Sequence, residues 1–337
     1  MRAVIPAPLL WTVLAIATLS SWALTGRLRQ YALGRQMVDV PNARSSHRVA
    51  TPRGGGGAIV VAATAALAWW SWASGTTSLA SSLIGGLVVA GIGFADDHRH
   101  VAPQIRLVGH TVAAVLAVTT LGGPWPGGVL ALGLAVVFVA WLINLTNFMD
   151  GIDGIAGVQT LTTCAAGAAL SRMIAPRTDL WFEPAVLGAA SIGFLIWNWP
   201  PARVFMGDVG SGFVGFMVAV FTLRAASVAP VLGWCWLILS GVFIVDATFT
   251  LARRTMRGDR IFEAHRSHAY QHLAHAWGHR SITLLVAAIN LCWLTPVAAL
   301  VALGYVSGAM GVLIGYLPLA AGAVRFGAGT VSESRAS

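Results

Sequence analysis

Apolar stretches of about 16–22 residues, each long enough to approach or cross a bilayer, recur along almost the whole chain. Of the 337 residues 57% are hydrophobic and only 10% are charged, where a soluble domain carries about a quarter charged. The chain is therefore expected to be an all-α, polytopic integral membrane protein. About eleven transmembrane helices are predicted, near residues 5–25, 56–74, 79–95, 105–121, 128–147, 154–172, 184–199, 210–224, 230–250, 281–301 and 304–323. No linker, low-complexity stretch or internal repeat divides them. Residues 1–337 read as one transmembrane domain with basic loops at 26–55 and 251–280 and a disordered tail at 324–337. The run from Ile5 to Leu24 reads as the first span rather than a signal peptide, because it lacks a small-residue cleavage site and is followed by Arg27 and Arg29. Cys164, Cys235 and Cys292 fall inside apolar segments and read as small buried hydrophobes.

Alternating spans sort the loops into two sets. All 21 basic residues are arginines. Counting Arg106 at the edge of its span, 17 of them belong with loops 26–55, 96–104, 148–153, 200–209, 251–280 and the C-terminal tail; only Arg2, Arg172, Arg177 and Arg224 fall on the other side. The positive-inside rule assigns the first set to the cytoplasm and the N-terminus to the outside. Topology thus accounts for the basic balance without nucleic acid, and anionic lipid or substrate adds to it. Of twelve acids, only Asp179 and Glu183 fall on the outer side, and Asp246 sits near the cytoplasmic end of a span. The acids played no part in drawing the spans, so their convergence independently points to a site at the cytoplasmic face.

Five segments carry chemistry. Gly93-Phe-Ala-Asp96-Asp97 ends the third span; adjacent carboxylates repel, which favours a bound cation or a raised pKa, although a solvated loop start beside His98, Arg99 and His100 also fits. Asn144-Leu-Thr-Asn147-Phe-Met-Asp150-Gly-Ile-Asp153-Gly154 ends the fifth. Steps of three turn about 300° each on a helix, so Asn144 and Asp153 would point apart on a straight one. A break near Gly151 would let Asn147, Asp150 and Asp153 converge. A glycine C-cap is the plain alternative, but it leaves acids at a helix C-terminus, where the dipole disfavours them. Amide and carboxylate oxygens suit magnesium, which is commonly held by few protein ligands plus phosphate and water.

The third segment runs from Asn198 through Pro200 and Pro201 to Phe205-Met-Gly-Asp208-Val-Gly-Ser-Gly212. A glycine-rich turn opening a helix offers N–H groups to anions. Asp208 is a candidate cation ligand or simply an N-cap, and Phe205 offers a stacking face. In the fourth, His265, His268, His272, His275 and His279 step by 3, 4, 3 and 4 within a basic loop, so they share a face if helical. Zinc is conceivable there, but arginine and histidine together suit pyrophosphate better; a solvated basic loop is the plain alternative. The fifth, Asp39 to Gly57, contains Arg44, His47, Arg48, Arg53 and four consecutive glycines, which could cradle phosphate or allow tight helix packing.

Taken in order, these segments resemble the polyprenyl-phosphate N-acetylhexosamine-1-phosphate transferases, over about Asp39 to Gly278. The wording around His265-Arg266-Ser-His268-Ala-Tyr-Gln271 is most similar to the O-antigen-initiating branch; the consecutive histidines of the muramoyl-pentapeptide branch are absent. The resemblance implies that undecaprenyl phosphate attacks the β-phosphorus of a UDP-activated N-acetylated amino sugar and releases UMP. It implies magnesium, with manganese as a substitute, held by Asn147 and Asp208. It places Asp150 and Asp153 at the nucleotide, Asp153 near uracil with Phe205 stacked on it, and Asp96 and Asp97 by the lipid phosphate, one as base or nucleophile. Arg266 and His268 fall near the diphosphate. The candidate catalytic residues are thus Asp96, Asp97, Asp150, Asp153, Asp208 and His268; Asn144, Asn147, Asp153, Phe205, Arg266, His268 and Arg48 are the candidate substrate-binding ones.

The expectation is a magnesium-dependent transferase of a bacterial inner membrane, its site cytoplasmic, working on cell-envelope glycans such as O-antigen. Its partners would be a UDP-sugar, undecaprenyl phosphate and membrane lipids; a homodimer is admitted. A secondary transporter also uses intramembrane acids and broken helices, but its site commonly lies at the midplane, whereas these acids gather at one face. A phospho-N-acetylmuramoyl-pentapeptide transferase and a noncatalytic assembly protein on the same scaffold are the other rivals.

Overall fold

The computed structural model describes residues 6–41, 49–75, 77–121, 128–259 and 266–330. Among them the chain is almost wholly helical: α1 Ala7–Gly34, α2 Gly57–Ser74, α3 Thr77–His98, α4 Pro103–Thr120, α5 Gly128–Met149, α6 Ile155–Ile174, α7 Phe182–Asn198, α8 Gly207–Val228, α9 Pro230–Leu239, α10 Gly241–Met256, α11 Ala269–Trp277, α12 His279–Ile289, α13 Thr295–Ala302 and α14 Gly308–Arg325. A short antiparallel hairpin, β1 Val38–Asp39 and β2 Thr51–Pro52, is the one sheet among the described residues. The all-α polytopic architecture follows from the sequence, because only a helix satisfies its own backbone in hydrocarbon without closing a barrel.

Each of the eleven apolar segments is helical. Seven are long and apolar enough to cross a membrane, eight if a bent pair counts as one span. The pair is α9 and α10, expected as one helix over 230–250 but bent by 67°. The bend falls at Ser240-Gly241, a pair that commonly kinks helices. The freed Leu239 carbonyl accepts hydrogen bonds from Gln159 Nε2 (3.2 Å) and Thr163 Oγ1 (3.1 Å). The stretch 281–301 is also interrupted, by a π-helical turn at Asn290–Leu294 just before Pro296. Asn290 Nδ2 donates to Gln159 Oε1 and Thr162 Oγ1, both at 2.8 Å. One buried polar network therefore joins the two interruptions, and at the π-helical turn Thr295 Oγ1 donates to the Asn290 carbonyl at 2.7 Å.

The helix α8 forms the centre, buried over most of its length, while α1 and α14 expose most of theirs. Helices α3 and α5 flank α8 and deliver their C-terminal ends to its N-terminus. The α3–α8 approach depends on Gly93, where a Cβ would collide with the Asp208 backbone. The chain end departs from the expected disorder over 324–337. Helix α14 continues to Arg325, and residues 326–330 form a docked turn in which Ala328 is fully buried. Residues 331–337 lie outside the described ones.

Gly93→Ala is expected to force α3 off α8 and to cost about 1–3 kcal/mol, the usual scale of overpacking. Thermal unfolding of the detergent-solubilised variant measures it; melting equal to wild type would mean that the seam relaxes freely.

Candidate active site

The acidic motifs converge where the C-terminal ends of α3 and α5 meet the N-terminus of α8. The chain leaves α5 at Met149 and enters α6 at Ile155, so residues 150–154 are the break expected near Gly151. The break is held from three sides. Gly154 N–H donates to Asn198 Oδ1 (3.0 Å), Thr283 Oγ1 donates to the Asp153 carbonyl (2.7 Å), and Tyr270 Oη donates to the Phe148 carbonyl (3.0 Å).

Asn147, in the last turn of α5, points its amide at Asp208: Nδ2 donates to Asp208 Oδ1 at 2.8 Å and to Ser211 Oγ at 3.1 Å. Asp208 is not the N-cap of its own helix. That work falls to Asp97, whose Oδ1 accepts the Asp208 N–H (3.1 Å) and whose Oδ2 accepts the Val209 N–H (3.2 Å). Asp208 is left to face Arg106 as well as Asn147. Arg106 Nη1 lies 2.7 Å from both Asp96 Oδ2 and Asp208 Oδ2 and so bridges the two carboxylates. Arg53 Nη2 donates to the Asp97 carbonyl at 2.8 Å, with Nε 3.9 Å from Asp97 Oδ1. Three acids, an amide and two arginines from five segments thus share one end of the bundle.

The other expected residues lie at varying distance from this centre. Asp150 stands just past α5; desolvation and the carboxylates of Asp208, Asp97 and Asp153 hold its pKa well above the usual carboxylate range. Asp153 is set against another wall: its Oδ2 accepts the Ala202 N–H (3.1 Å) and its Oδ1 lies 3.1 Å from His279 Nδ1. Asn144 is one turn deeper in α5, where Nδ2 donates to the Ala140 carbonyl (2.7 Å) and the side chain meets His110. Phe205 is half-buried beside the turn, its N–H on the Pro52 carbonyl. Arg48 and His265 lie outside the described residues. Arg266 is described, half-buried and within electrostatic reach of His272.

His268 is buried and precedes α11 as its N-cap, rather than standing on the helix face with His272 and His275. Its Nδ1 lies 3.3 Å from Asp246 Oδ1, and Asp246 also accepts the N–H groups of Ala269 and Tyr270, both at 3.0 Å. His279 opens α12 after Gly278. The five-histidine stripe is therefore not one helical face. Among the described residues, no group of three or more His, Cys, Asp or Glu side chains is placed to hold a metal by itself. The four glycines resolve toward packing: Gly55 and Gly56 N–H groups donate to the Phe205 and Met206 carbonyls at 2.9 and 2.8 Å, so they are not offered to phosphate.

Comparison with known proteins agrees with this arrangement. Residues 79–226 match the family model of glycosyl transferase family 4, a range holding Asp96, Asp97, Asn147, Asp150, Asp153 and Asp208 but not His268. A probable undecaprenyl-phosphate N-acetylglucosaminyl 1-phosphate transferase of Bacillus subtilis is 26% identical over 298 residues, covering 82% of this chain and 80% of the relative. The decaprenyl-phosphate N-acetylglucosaminephosphotransferase of Mycobacterium tuberculosis is 27% identical over 246 residues, 63% of this chain and 61% of that one. A phospho-N-acetylmuramoyl-pentapeptide-transferase of Thermosynechococcus vestitus is 29% identical over 213 residues, 55% and 53% of the two chains. The chain is thus similar, over its central helices and beyond, to transferases that move an N-acetylhexosamine 1-phosphate onto a polyprenyl phosphate.

Four residues of this transferase's site escaped the sequence reading as site residues. Arg106 counted only as a topological arginine, Arg53 only as part of a glycine-rich stretch, Asp246 only as an acid near a span end, and His279 only as a stripe member. Each acquires its role from a partner distant in the chain. The signal that could have found Arg106 was present: it sits within three turns of the Asp-Asp pair, as the first arginine of an otherwise apolar helix.

A prediction follows from Asp150. Its raised pKa means that the folded state holds the proton more tightly than the unfolded one. Its contribution to stability is therefore fully present below the usual carboxylate value of about 3.9 and is lost as pH rises through the raised value. Asp150→Asn, which cannot ionise, is expected to melt higher than wild type at pH 8, with a smaller gain at pH 5. An equal shift at both pH values would show that Asp150 is not held protonated.

Proposed function

We propose that this transferase moves an N-acetylated amino-sugar 1-phosphate from a UDP-sugar to undecaprenyl phosphate. A phosphate oxygen of the lipid forms a bond to the β-phosphorus, the bond from that phosphorus to the bridging oxygen breaks, and UMP leaves with the bridging oxygen. The polyprenyl-diphospho-sugar that remains would start O-antigen or another cell-envelope glycan. The reading rests on one observation above all: Asn147, Asp208, Asp96 and Arg106, from four helices, meet within hydrogen-bonding distance at one end of a membrane bundle.

Two phosphates must approach each other, and their repulsion is the obstacle. Arg106 and Arg53 supply positive charge beside the carboxylates. The carboxylates of Asp96, Asp97, Asp150 and Asp208 exceed that charge, and the raised pKa of Asp150 is the symptom. A hard oxygen set in acidic excess fits a divalent cation, here Mg2+ with Mn2+ as substitute, held by Asp208 with Asn147 beside it. Such an ion would neutralise the diphosphate and stabilise charge in the transition state. Asp96 orients Arg106, and Asp97 fixes the N-terminus of α8. Asp153 and Phe205 would form the nucleotide wall, and the buried His268 with Arg266 the diphosphate side. The arginine distribution supports an inner-membrane orientation with the site cytoplasmic and the N-terminus outside.

The names of two relatives make UDP-N-acetylglucosamine the first donor to test. Purified protein, undecaprenyl phosphate and Mg2+ would be given this donor, then 6-deoxy amino-sugar donors and UDP-N-acetylmuramoyl-pentapeptide, with the lipid product read by mass spectrometry and labelled UMP exchange read in parallel. A lipid-linked sugar from at least one N-acetylhexosamine donor is expected; neither product nor exchange with any donor would sink the reading. Asp208→Asn should keep its melting temperature and lose at least about 100-fold in rate, the scale of removing one preorganised charge partner. Full activity in that variant would refute Asp208 as the cation ligand.

A further inference from the structure

The C-terminal segment after α14 has no part in the chemistry above, yet it reaches the His268 segment. Gly329 N–H donates to the Ser267 carbonyl at 2.6 Å, one residue before His268. Arg253 Nη1, from α10, donates to the Ala328 carbonyl at 3.2 Å. Ala328 is buried in a small apolar cluster with Ala269 and Ala323, against Phe249. Phe326 meets Trp277, the last residue of α11, edge to face with ring centroids 6.0 Å apart. The Thr330 backbone hydrogen-bonds His272. Contacts therefore reach residues 267, 269, 272 and 277, the whole length of α11 and the residue before its cap.

We propose that residues 326–330 are positioning residues for the proposed transfer, a strap seated on α10 beyond Asp246 that holds the Ser267–His268 peptide in place by its Ser267 carbonyl. The inference rests on the reading of His268 as a substrate-facing residue given above. Residues 266–268 have no regular secondary structure, and a loop with few contacts opens readily. Asp246 grips this one through the His268 ring and the Ala269 and Tyr270 N–H groups. The strap adds a hold on the Ser267 carbonyl. The strap's path is specific: Gly329 has φ +73°, and a Cβ there would meet Arg253 Cβ at 2.9 Å and the Thr250 carbonyl oxygen at 3.1 Å. A chain end that merely drifted over the surface would need neither a left-handed residue nor a buried alanine.

Two truncations separate the strap from the rest of the tail. Removing residues 331–337 should leave kcat unchanged. Removing 326–337 should lower kcat by about 10–100-fold, the scale of a small misplacement of a catalytic group, with KM for the UDP-sugar changed less than threefold or so. Hydrogen exchange over 266–272 should quicken in the longer truncation while α3, α5 and α8 stay protected. On a His268→Ala background the longer truncation should cost little more in rate, because both changes remove one function; a strap that only stabilised the fold would cost as much there as in wild type. Gly329→Val, which leaves the tail length intact, should reproduce the loss if the truncated chain fails to fold. Unchanged kcat in the longer truncation, or in Gly329→Val when that truncation does not fold, overturns the proposal, as does an undiminished penalty on the His268→Ala background. If wild type transfers no sugar phosphate, the functional reading falls; the exchange measurement then decides the strap, and unchanged exchange over 266–272 ends it.

Discussion

The fastening of Asp97 to the first turn of α8 sets out the rest of the site. The first N–H groups of any helix lack intrahelical partners, and at a membrane edge they cannot count on water. Asp97 supplies two acceptors from another helix, and the carboxylate sits where the helix dipole favours negative charge. This is possible only because α3 comes down against α8 at Gly93, with no side chain in the way. Two consequences follow. Asp208, relieved of capping its own helix, turns its carboxylate to Asn147 and Arg106. Asp96, one residue before Asp97 on the same helix, points elsewhere and meets Arg106 from the other side. One interhelical cap thereby divides the acids into one that fixes geometry and two that flank an arginine.

The same rule explains the interruptions. Each place where a span departs from helix has side chains waiting for the freed backbone groups. Gln159 and Thr163 serve the α9–α10 bend, and Thr295 serves the Asn290 carbonyl at the π-helical turn. Asn198 and Thr283 serve the break after α5. The bend has a functional consequence. By turning α10 through 67°, it carries Asp246 to the N-terminus of α11, where it holds His268. A straight span over 230–250 would not direct its last turns toward the site. Helix α6 is less apolar than a lipid-facing span because it is enclosed by neighbours: Gln159 and Thr163 donate to the Leu239 carbonyl of α9, while Thr160 and Thr162 donate to carbonyls of their own helix.

Much of this was legible in the chain. The spans emerge from apolar run length, because the bilayer fixes how long such a run must be. The break near Gly151 was legible from spacing and the glycine, since steps of three turn Asn144 and Asp153 apart on a straight helix. The pairing of Asn147 with Asp208 came from the family resemblance and not from spacing, as nothing local links residues 61 apart. Arg106 shows the opposite limit: its residue type was read correctly as cytoplasmic charge, but its partners lie on α3 and α8, and no periodicity reports them. The histidine stripe had the right period for α11 and the wrong extent, because His268 is drawn off the helix by Asp246 and Gly278 separates His279 onto α12. The tail, expected to be disordered, instead docks through residues 326–330, with Gly327 and Gly329 in left-handed turn positions.

Charge balance is what distinguishes this cluster from an ordinary polar helix end. Carboxylates have the wrong sign for a phosphate, so four of them beside a phosphate site make sense only with cations interposed. Arg106 engages two of the four and Arg53 lies near a third, and the excess shows at Asp150, whose pKa burial and the neighbouring carboxylates push well above the usual carboxylate range. Such an arrangement costs stability, and unexplained costs of this kind concentrate at functional sites. A transporter would also tolerate buried acids, but it would set them near the midplane between moving halves. Here they stand at helix ends, beside the break between α5 and α6, with arginines already among them. The unmet negative charge is the reason that a divalent cation and an anionic substrate pair belong in the same proposal: with the arginines, the cation would offset the carboxylates' repulsion toward phosphate, and the phosphates would complete the coordination that two protein groups leave open.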